Sequence, residues 1–424
     1  MNSALLGLSD DTFNQPPPLT DYNLFCSDQS LRRTLRRENA PVDEDGLTAF
    51  GAVAGSAETA ELARLANQEL PQLKQYSDSG ERVDRVEFHP AWHSLMSISA
   101  RQGLHHGGWP DFRPDLPDGK GANVTRAAAF YMAAQMESGH TCPITMTNAV
   151  VATLKQQPDV AEPWLSKIAV ADYDAAFAPI GQKRAATIGM GMTEKQGGTD
   201  VRTNTTQAIP VDGEGPGREY LLTGHKWFFS APMCDAFLVL AQAPGGLSCF
   251  LLPRFLPDGT QNRILIQRLK DKIGNRSNAS SEVEFERTHA WMVGEEGRGI
   301  ATIINMVTYT RLDCAIASAA MMRQSFANVV HHVSHRVVFQ KKLIDQALMR
   351  QVVADMALDQ EAALALVFRL ARAFDGAADD PREAAFARIM APVAKFWVCK
   401  MLPGFAYEAV ECLGGNGYVE DGPM

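Results

Sequence analysis

The 424-residue chain has no apolar run of the ~18 to 20 residues that a membrane span requires, so no membrane role is expected. Its start, MNSALLGLSDDTFNQ, lacks the basic n-region and apolar core of a secretory signal. It is also too acidic for a transit peptide, which leaves the cytoplasm as the expected compartment. Cysteine is sparse: Cys26, Cys142, Cys234, Cys249, Cys314, Cys399 and Cys412 form an odd, scattered set with no Cys-x-x-Cys pair. They read as reduced thiols rather than a disulfide framework. No His-Glu-x-x-His run accompanies the cluster His331, His332 and His335, so no metal is expected. No Gly-x-Gly-x-x-Gly leads from a strand into a helix, which excludes a Rossmann dinucleotide site. Net positive charge is missing too. At −9, with a pI near 5.6, the chain is not expected to grip nucleic acid over its whole surface.

What is there is a change of period, twice. Residues 1–40 read as an extended arm, with Pro16, Pro17 and Pro18 in a row. Residues 41–185 carry Ala-rich runs with apolar residues at three- and four-residue steps, the mark of a helical bundle. From 186 to 296 short β-rich runs alternate with turn signals such as Pro257-Asp258-Gly259. That many short strands close most simply as a barrel or sandwich. From 297 to 424 the helical period returns, with Asp380-Pro381 as a helix start. The fold class is therefore α+β: helical domain, β domain, helical domain.

The chemistry concentrates between residues 190 and 230. MTEKQGGTD (192–200) puts two adjacent glycines among short polar side chains, which allows backbone N–H groups to approach a flat polar ligand closely. GHKWFFS (224–230) ends a strand-like run with an aromatic wall. Donors beside aromatic rings are what a buried heteroaromatic ring requires. Taken alone, the pair also reads as a surface hairpin with a polar loop. One basic stripe, Arg32, Arg33, Arg36 and Arg37, would line one side of a helix and reads as a solvated face, an intersubunit ion-pair surface or a phosphate contact.

These two segments resemble the flavin-cradling pair of the acyl-CoA dehydrogenase family, closest to its AidB-like branch of adaptive-response proteins. FNQPPPLTDYNL, CPITMTNA, LKDKIGNRSNASSEVEFE, TRLDCA, RVVFQKKLIDQALMR and LGGNGY follow in the order that branch shows, over nearly the whole chain. The resemblance implies an FAD flavoprotein that removes the α and β hydrogens of an acyl-CoA thioester, with short branched substrates such as isovaleryl-CoA in view. It implies a homo-oligomer, a tetramer built as a dimer of dimers, with FAD sites shared between subunits. The alternative it carries is a DNA-binding protein of the alkylation response. The family pattern runs on past LGGNGY, so the chain is expected to be a C-terminally truncated member with an incomplete last bundle.

By resemblance Met190, Met192, Thr193, Gly198 and Thr199 would line the isoalloxazine on one side and Trp227, Phe228, Phe229 and Ser230 on the other. Phe229 stands where the family has the threonine whose hydroxyl meets flavin N5, leaving Ser230 as the nearest substitute. Arg336, Phe339, Gln346, Gly414 and Gly415 match positions that reach the ADP half of a neighbouring subunit's FAD, with Gln340 replacing the usual glycine. Thr199 and Arg311 match substrate-contacting positions, although Thr308 replaces the aspartate that usually partners the arginine. Removing a Cα proton needs a carboxylate base. One family location for it is Thr310 here and the other is not reached, so no catalytic residue is assigned and at most weak dehydrogenation is expected. Glu194 and Asp200, beside the loop, read as salt-bridged structural groups.

Overall fold

The computed structural model describes residues 13–113, 116 and 120–419. Residues 1–12, on which the reading of the compartment partly rests, lie outside them, as do 420–424.

Among the described residues the N-terminal part holds eight α-helices: α1 (Leu24–Ser27), α2 (Gln29–Glu38), α3 (Glu44–Ala54), α4 (Ala57–Gln68), α5 (Pro90–Arg101), α6 (Ala122–Met136), α7 (Thr141–Leu154) and α8 (Pro158–Ile168). The arm is thus not extended throughout. Residues 14–20 lack regular structure, but Asn23 and Asp28 cap two helices, accepting from Phe25 and Cys26 N–H and from Leu31 N–H respectively. Leu31 and Leu35 of α2 are buried in the helical core. A second departure is an antiparallel hairpin, β1 (Gln72–Tyr76) and β2 (Arg82–Glu87), within a region whose period reads as helical. Its outward residues are polar, and Gly80 at φ +85° makes the turn.

Seven strands form the middle domain: β3 (Ile188–Gly191), β4 (Gln207–Pro210), β5 (Glu219–Ser230), β6 (Ala236–Ala243), β7 (Gly246–Pro253), β8 (Ile264–Leu269) and β9 (Ser280–Val293). β5 pairs with β4, β4 touches β6, β6 pairs with β7, β7 with β9, and β9 returns to β5. The sheet therefore closes on itself, removing most strand edges. β6 is buried almost end to end, in one hydrophobic core with residues of α7 and α8.

Three long helices follow: α9 (Gly299–His335), α10 (Ala347–Gly376) and α11 (Pro381–Leu413), with a two-stranded hairpin, β10 (Val337–Val338) and β11 (Lys341–Lys342), between the first two. Asp380 caps α11, its carboxylate accepting from Arg382 N–H, and Pro381 fills the first turn. Among the described residues α11 is the one helix long and apolar enough to cross a membrane, and only 22% of its most apolar window is buried. Its outward side carries Ile389, Val393, Phe396 and Trp397 at steps of three and four residues, an apolar stripe on one face.

Candidate functional site

β3 and the end of β5 run antiparallel, with Met190 opposite Ser230 and Gly191 opposite Phe229. Past the strand Trp227 N–H donates to the Thr193 carbonyl at 2.8 Å. The chain then turns back through Glu194 and Gly197, whose backbones exchange two hydrogen bonds of 3.2 Å. Gly198 packs on Thr193 so closely that a Cβ there would stand 2.8 Å from Thr193 Oγ1. A side chain at 198 would fill this niche, which is the physical reason for the second glycine. Met190, Met192, Thr193, Trp227 and Ser230 are all half-buried along this edge, and Gly198 and Thr199 are exposed beside it. They form a shelf of apolar, hydroxyl and indole groups that fits a flat heteroaromatic ring.

Beneath the shelf Glu194 and Lys226 form a buried ion pair of 2.6 Å. Glu194 Oε1 also accepts from Thr206 Oγ1 at 2.6 Å, and Oε2 from Thr205 N–H at 2.7 Å; Lys226 Nζ donates to the Leu240 carbonyl at 2.7 Å. Burial alone would raise the Glu194 carboxyl, but the Lys226 charge and these donors outweigh it and hold the group at about 2. Burial lowers Lys226 to about 8 against the pull of Glu194. Glu194 is salt-bridged and structural as expected, with Lys226 rather than a loop neighbour as its partner, whereas Asp200 is exposed and joins no ion pair among the described residues.

One expected side chain is not in the shelf. Phe229 is 0% exposed, packed between Phe237 and Phe285 at ring separations of 4.3 and 6.1 Å inside the barrel. Only its backbone reaches the edge. A one-residue bulge between Lys226 and Phe229, three residues against two on β9, breaks the alternation and turns the ring inward. Phe228, by contrast, is exposed.

Three cations that sequence reasoning missed surround Trp227. Lys270 Nζ lies 3.5 Å from its ring centroid, Lys195 Nζ 5.5 Å and the Arg268 guanidinium 5.8 Å. Lys270 also stands 4.5 Å from the Phe228 ring. The strand-edge run at 268–270 is 41 residues or more from Trp227 in sequence, and only the barrel closure brings them together.

Beside the exposed loop a groove of about 570 Å³ runs between Arg202, Gln242 and Leu247 on one wall and Gly297, Arg298 and Ile304 on the other. Arg311 is half-buried further along α9. Thr308 and Thr310 both spend their hydroxyls on backbone carbonyls of α9, those of Ile304 and Val307, at 2.9 Å each. Neighbouring carboxylates are committed: Asp313 takes both guanidinium ends of Arg126 at 2.7 Å and Thr145 Oγ1 at 2.9 Å. Asp375 accepts from Asn123 and Val124 N–H at the start of α6.

The second group assembles elsewhere. Arg336 closes α9, Phe339 and Gln340 form the two-residue turn of the β10–β11 hairpin, and Gln346 Nε2 donates to the Val338 carbonyl at 3.1 Å. Both turn residues lie in the left-handed region, at φ +52° and +65°, as a tight hairpin demands. This explains why a glycine suits position 340. Gly414 (φ +60°) and Gly415 end α11, and a Cβ on either would meet only open space. Of the arginine stripe, Arg37 is engaged by Glu38 and the Ala365 carbonyl on α10.

The chain belongs to the acyl-CoA dehydrogenase family. Residues 14–175 match the adaptive response protein AidB N-terminal domain, 189–288 the acyl-CoA dehydrogenase middle domain and 297–424 its C-terminal domain. Within the family it is similar to AidB of Escherichia coli (strain K12), 49% identical over 97% of this chain and 74% of that protein. It is 32% identical to acyl-CoA dehydrogenase family member 11 of Caenorhabditis elegans, over 96% of this chain and 67% of that one. The crystal structure of that worm protein, ACDH-11, in complex with C11-CoA, superposes with a TM-score of 0.86 over 96% of this chain and 69% of that chain, at 29% identity. A glutaryl-CoA dehydrogenase from Mycobacterium smegmatis, in complex with FADH2, shares the fold at a TM-score of 0.60 and 16% identity, over 88% of each chain.

Proposed function

We propose that this chain is an FAD-dependent oxidoreductase acting on the α,β bond of acyl-CoA thioesters, assembled as a tetramer in the cytoplasm. The observation that carries the reading is the shelf itself: Met190, Met192 and Thr193 meet Trp227 and Ser230 along one strand edge, with Lys195, Arg268 and Lys270 around the indole. FAD, when bound, would supply the acceptor for the β hydrogen as hydride. The roles of the chain's own residues follow from their positions. Thr193 and Ser230 offer hydroxyls to the polar rim of the ring and Trp227 its apolar face, while Lys270 and Arg268 add positive charge that favours an electron-rich ring. Gly198 lets the loop approach without a clash.

The groove between Arg202 and Arg298 supports the thioester assignment, since two guanidinium groups suit the phosphates of CoA. Arg311, on the same helix, would sit nearer the acyl end. Acid–base chemistry falls to none of these residues: the carboxylates Glu194, Asp313 and Asp375 are buried in bonds to other groups. The reading is thus of a flavoprotein with an acyl-CoA-like ligand.

The test is the visible absorption spectrum of the purified chain, followed by addition of C4 to C12 acyl-CoAs. Flavin bands at near-stoichiometric occupancy that bleach on mixing with an acyl-CoA support both halves of the proposal. A colourless protein that takes up no added FAD would overturn it.

A further inference from the structure

The elements matched to the ADP half of the cofactor are far apart in sequence, yet one short segment ties them together. Asn14 sits at φ +44°, a conformation that asparagine tolerates better than most residues. Its side chain closes a reciprocal pair with the hairpin: Val337 N–H donates to Asn14 Oδ1 at 3.0 Å, and Asn14 Nδ2 donates to the Val337 carbonyl at 2.8 Å. With the residue pinned in this way, its own carbonyl faces Arg336, whose Nη1 donates to it at 2.5 Å. The next residue, Gln15, accepts from Asn416 Nδ2 at 2.9 Å, in the turn carrying Gly414 and Gly415. Pro17 offers its carbonyl to His331 Nε2 at 2.7 Å, one turn before Arg336.

We infer that residues 14–17 are a built part of the cofactor site, with Asn14 as the positioning residue for Arg336 and Gln15 as the link that holds the glycine turn in register with it. This rests on the flavin reading above. An arginine side chain is long and has many rotamers, so a guanidinium that must meet a diphosphate loses affinity to the entropy of ordering it. One carbonyl occupies one of its five N–H donors and leaves the others for a bidentate contact with phosphate. The arm thereby pre-orders the cation before the ligand arrives. None of residues 14–17 hydrogen-bonds to the shelf at Met190 and Trp227, so they do not touch the part of the site that would hold the flavin ring.

The experiment measures FAD affinity of the full chain by flavin fluorescence for the wild type, Asn14→Ala, Gln15→Ala, Arg336→Ala and the Asn14→Ala/Arg336→Ala double variant. Asn14→Gly is added because glycine keeps the left-handed backbone and removes only the side-chain clasp. Loss of an ordering contact to a charged donor predicts a Kd raised about tenfold in Asn14→Ala and Asn14→Gly. The double variant should bind no more weakly than Arg336→Ala, because the two act in series. The absorption maxima of the flavin still bound should not move, and the apo-protein melting temperature should stay at the wild-type value. A wild-type Kd in Asn14→Ala and Asn14→Gly, or full additivity in the double variant, would overturn the inference while leaving the flavin assignment intact. Failure of the wild type itself to bind FAD would remove both together.

Discussion

Lys226 Nζ and Glu194 Oε1 lie 2.6 Å apart directly under the loop that shapes the candidate flavin shelf, with neither side chain exposed. Removing one partner leaves an uncompensated buried charge, so Lys226→Met should destabilise the protein by about 3–5 kcal/mol. The double change Lys226→Met/Glu194→Leu should recover much of that loss. Urea denaturation of the three proteins checks this; a single variant as stable as the wild type would show the pair to be idle.

The same pair sets a pH dependence. Glu194 is held at about 2 against an ordinary 4.5, and Glu137 is likewise held at about 2: burial would raise it, but His140, two backbone N–H groups and Ser277 outweigh that. A carboxyl whose folded pKa is depressed adds stability that is complete above the unfolded value and disappears as the pH falls toward the folded one. The two carboxylates should therefore make the unfolding free energy fall steeply below pH 4.5, on top of a loss that begins below about 6.5 because burial holds the His105 imidazole down at about 3. In Glu194→Gln the slope between pH 4.5 and 3 should be shallower.

Position 229 invites a substitution that the structure argues against. Phe229→Thr would place a hydroxyl where relatives in the family carry one by resemblance, yet the side chain points into the barrel. The expected result is a core cavity costing about 3–5 kcal/mol, with no gain in flavin reduction by acyl-CoA. A faster bleaching rate in this variant would mean that the strand turns over when cofactor binds.

The hairpin turn offers the opposite case. Gln340 at φ +65° carries a left-handed strain that glycine does not, so Gln340→Gly should stabilise the chain by about 1 kcal/mol. Differential scanning calorimetry would register a rise of a degree or more.

The apolar stripe on α11 is too large to stay wet in a well-behaved monomer. Sedimentation should show concentration-dependent association, and Val393→Lys with Phe396→Glu should abolish it. A monomer at every concentration in the parent chain would contradict the tetramer reading.

Much of this was legible in the sequence for a physical reason. The helical run at residues 126–135 and the strand Leu247–Leu252 stand out by their unbroken apolar, Ala-rich or β-rich composition, because each is buried on nearly all sides. The Gly197-Gly198 turn and the indole of Trp227 stand out by composition. The hairpin β1–β2 was missed because so few of its residues are apolar that its alternation carries no contrast. The inward turn of Phe229 depends on a bulge set by its partner strand, and the approach of Lys270 depends on barrel closure. Neither is a property of the local sequence.

α9 runs unbroken for 37 residues, about 55 Å at 1.5 Å per residue. Near its start lie the groove residues and Arg311, and at its end Arg336 and the arm. Without a hinge between them, the helix is expected to carry a displacement of Pro17 or Asn14 at one end to the groove at the other. Deuterium uptake at residues 300–311 should therefore change when Asn14 is replaced, although residues 14–17 form no hydrogen bond to that stretch.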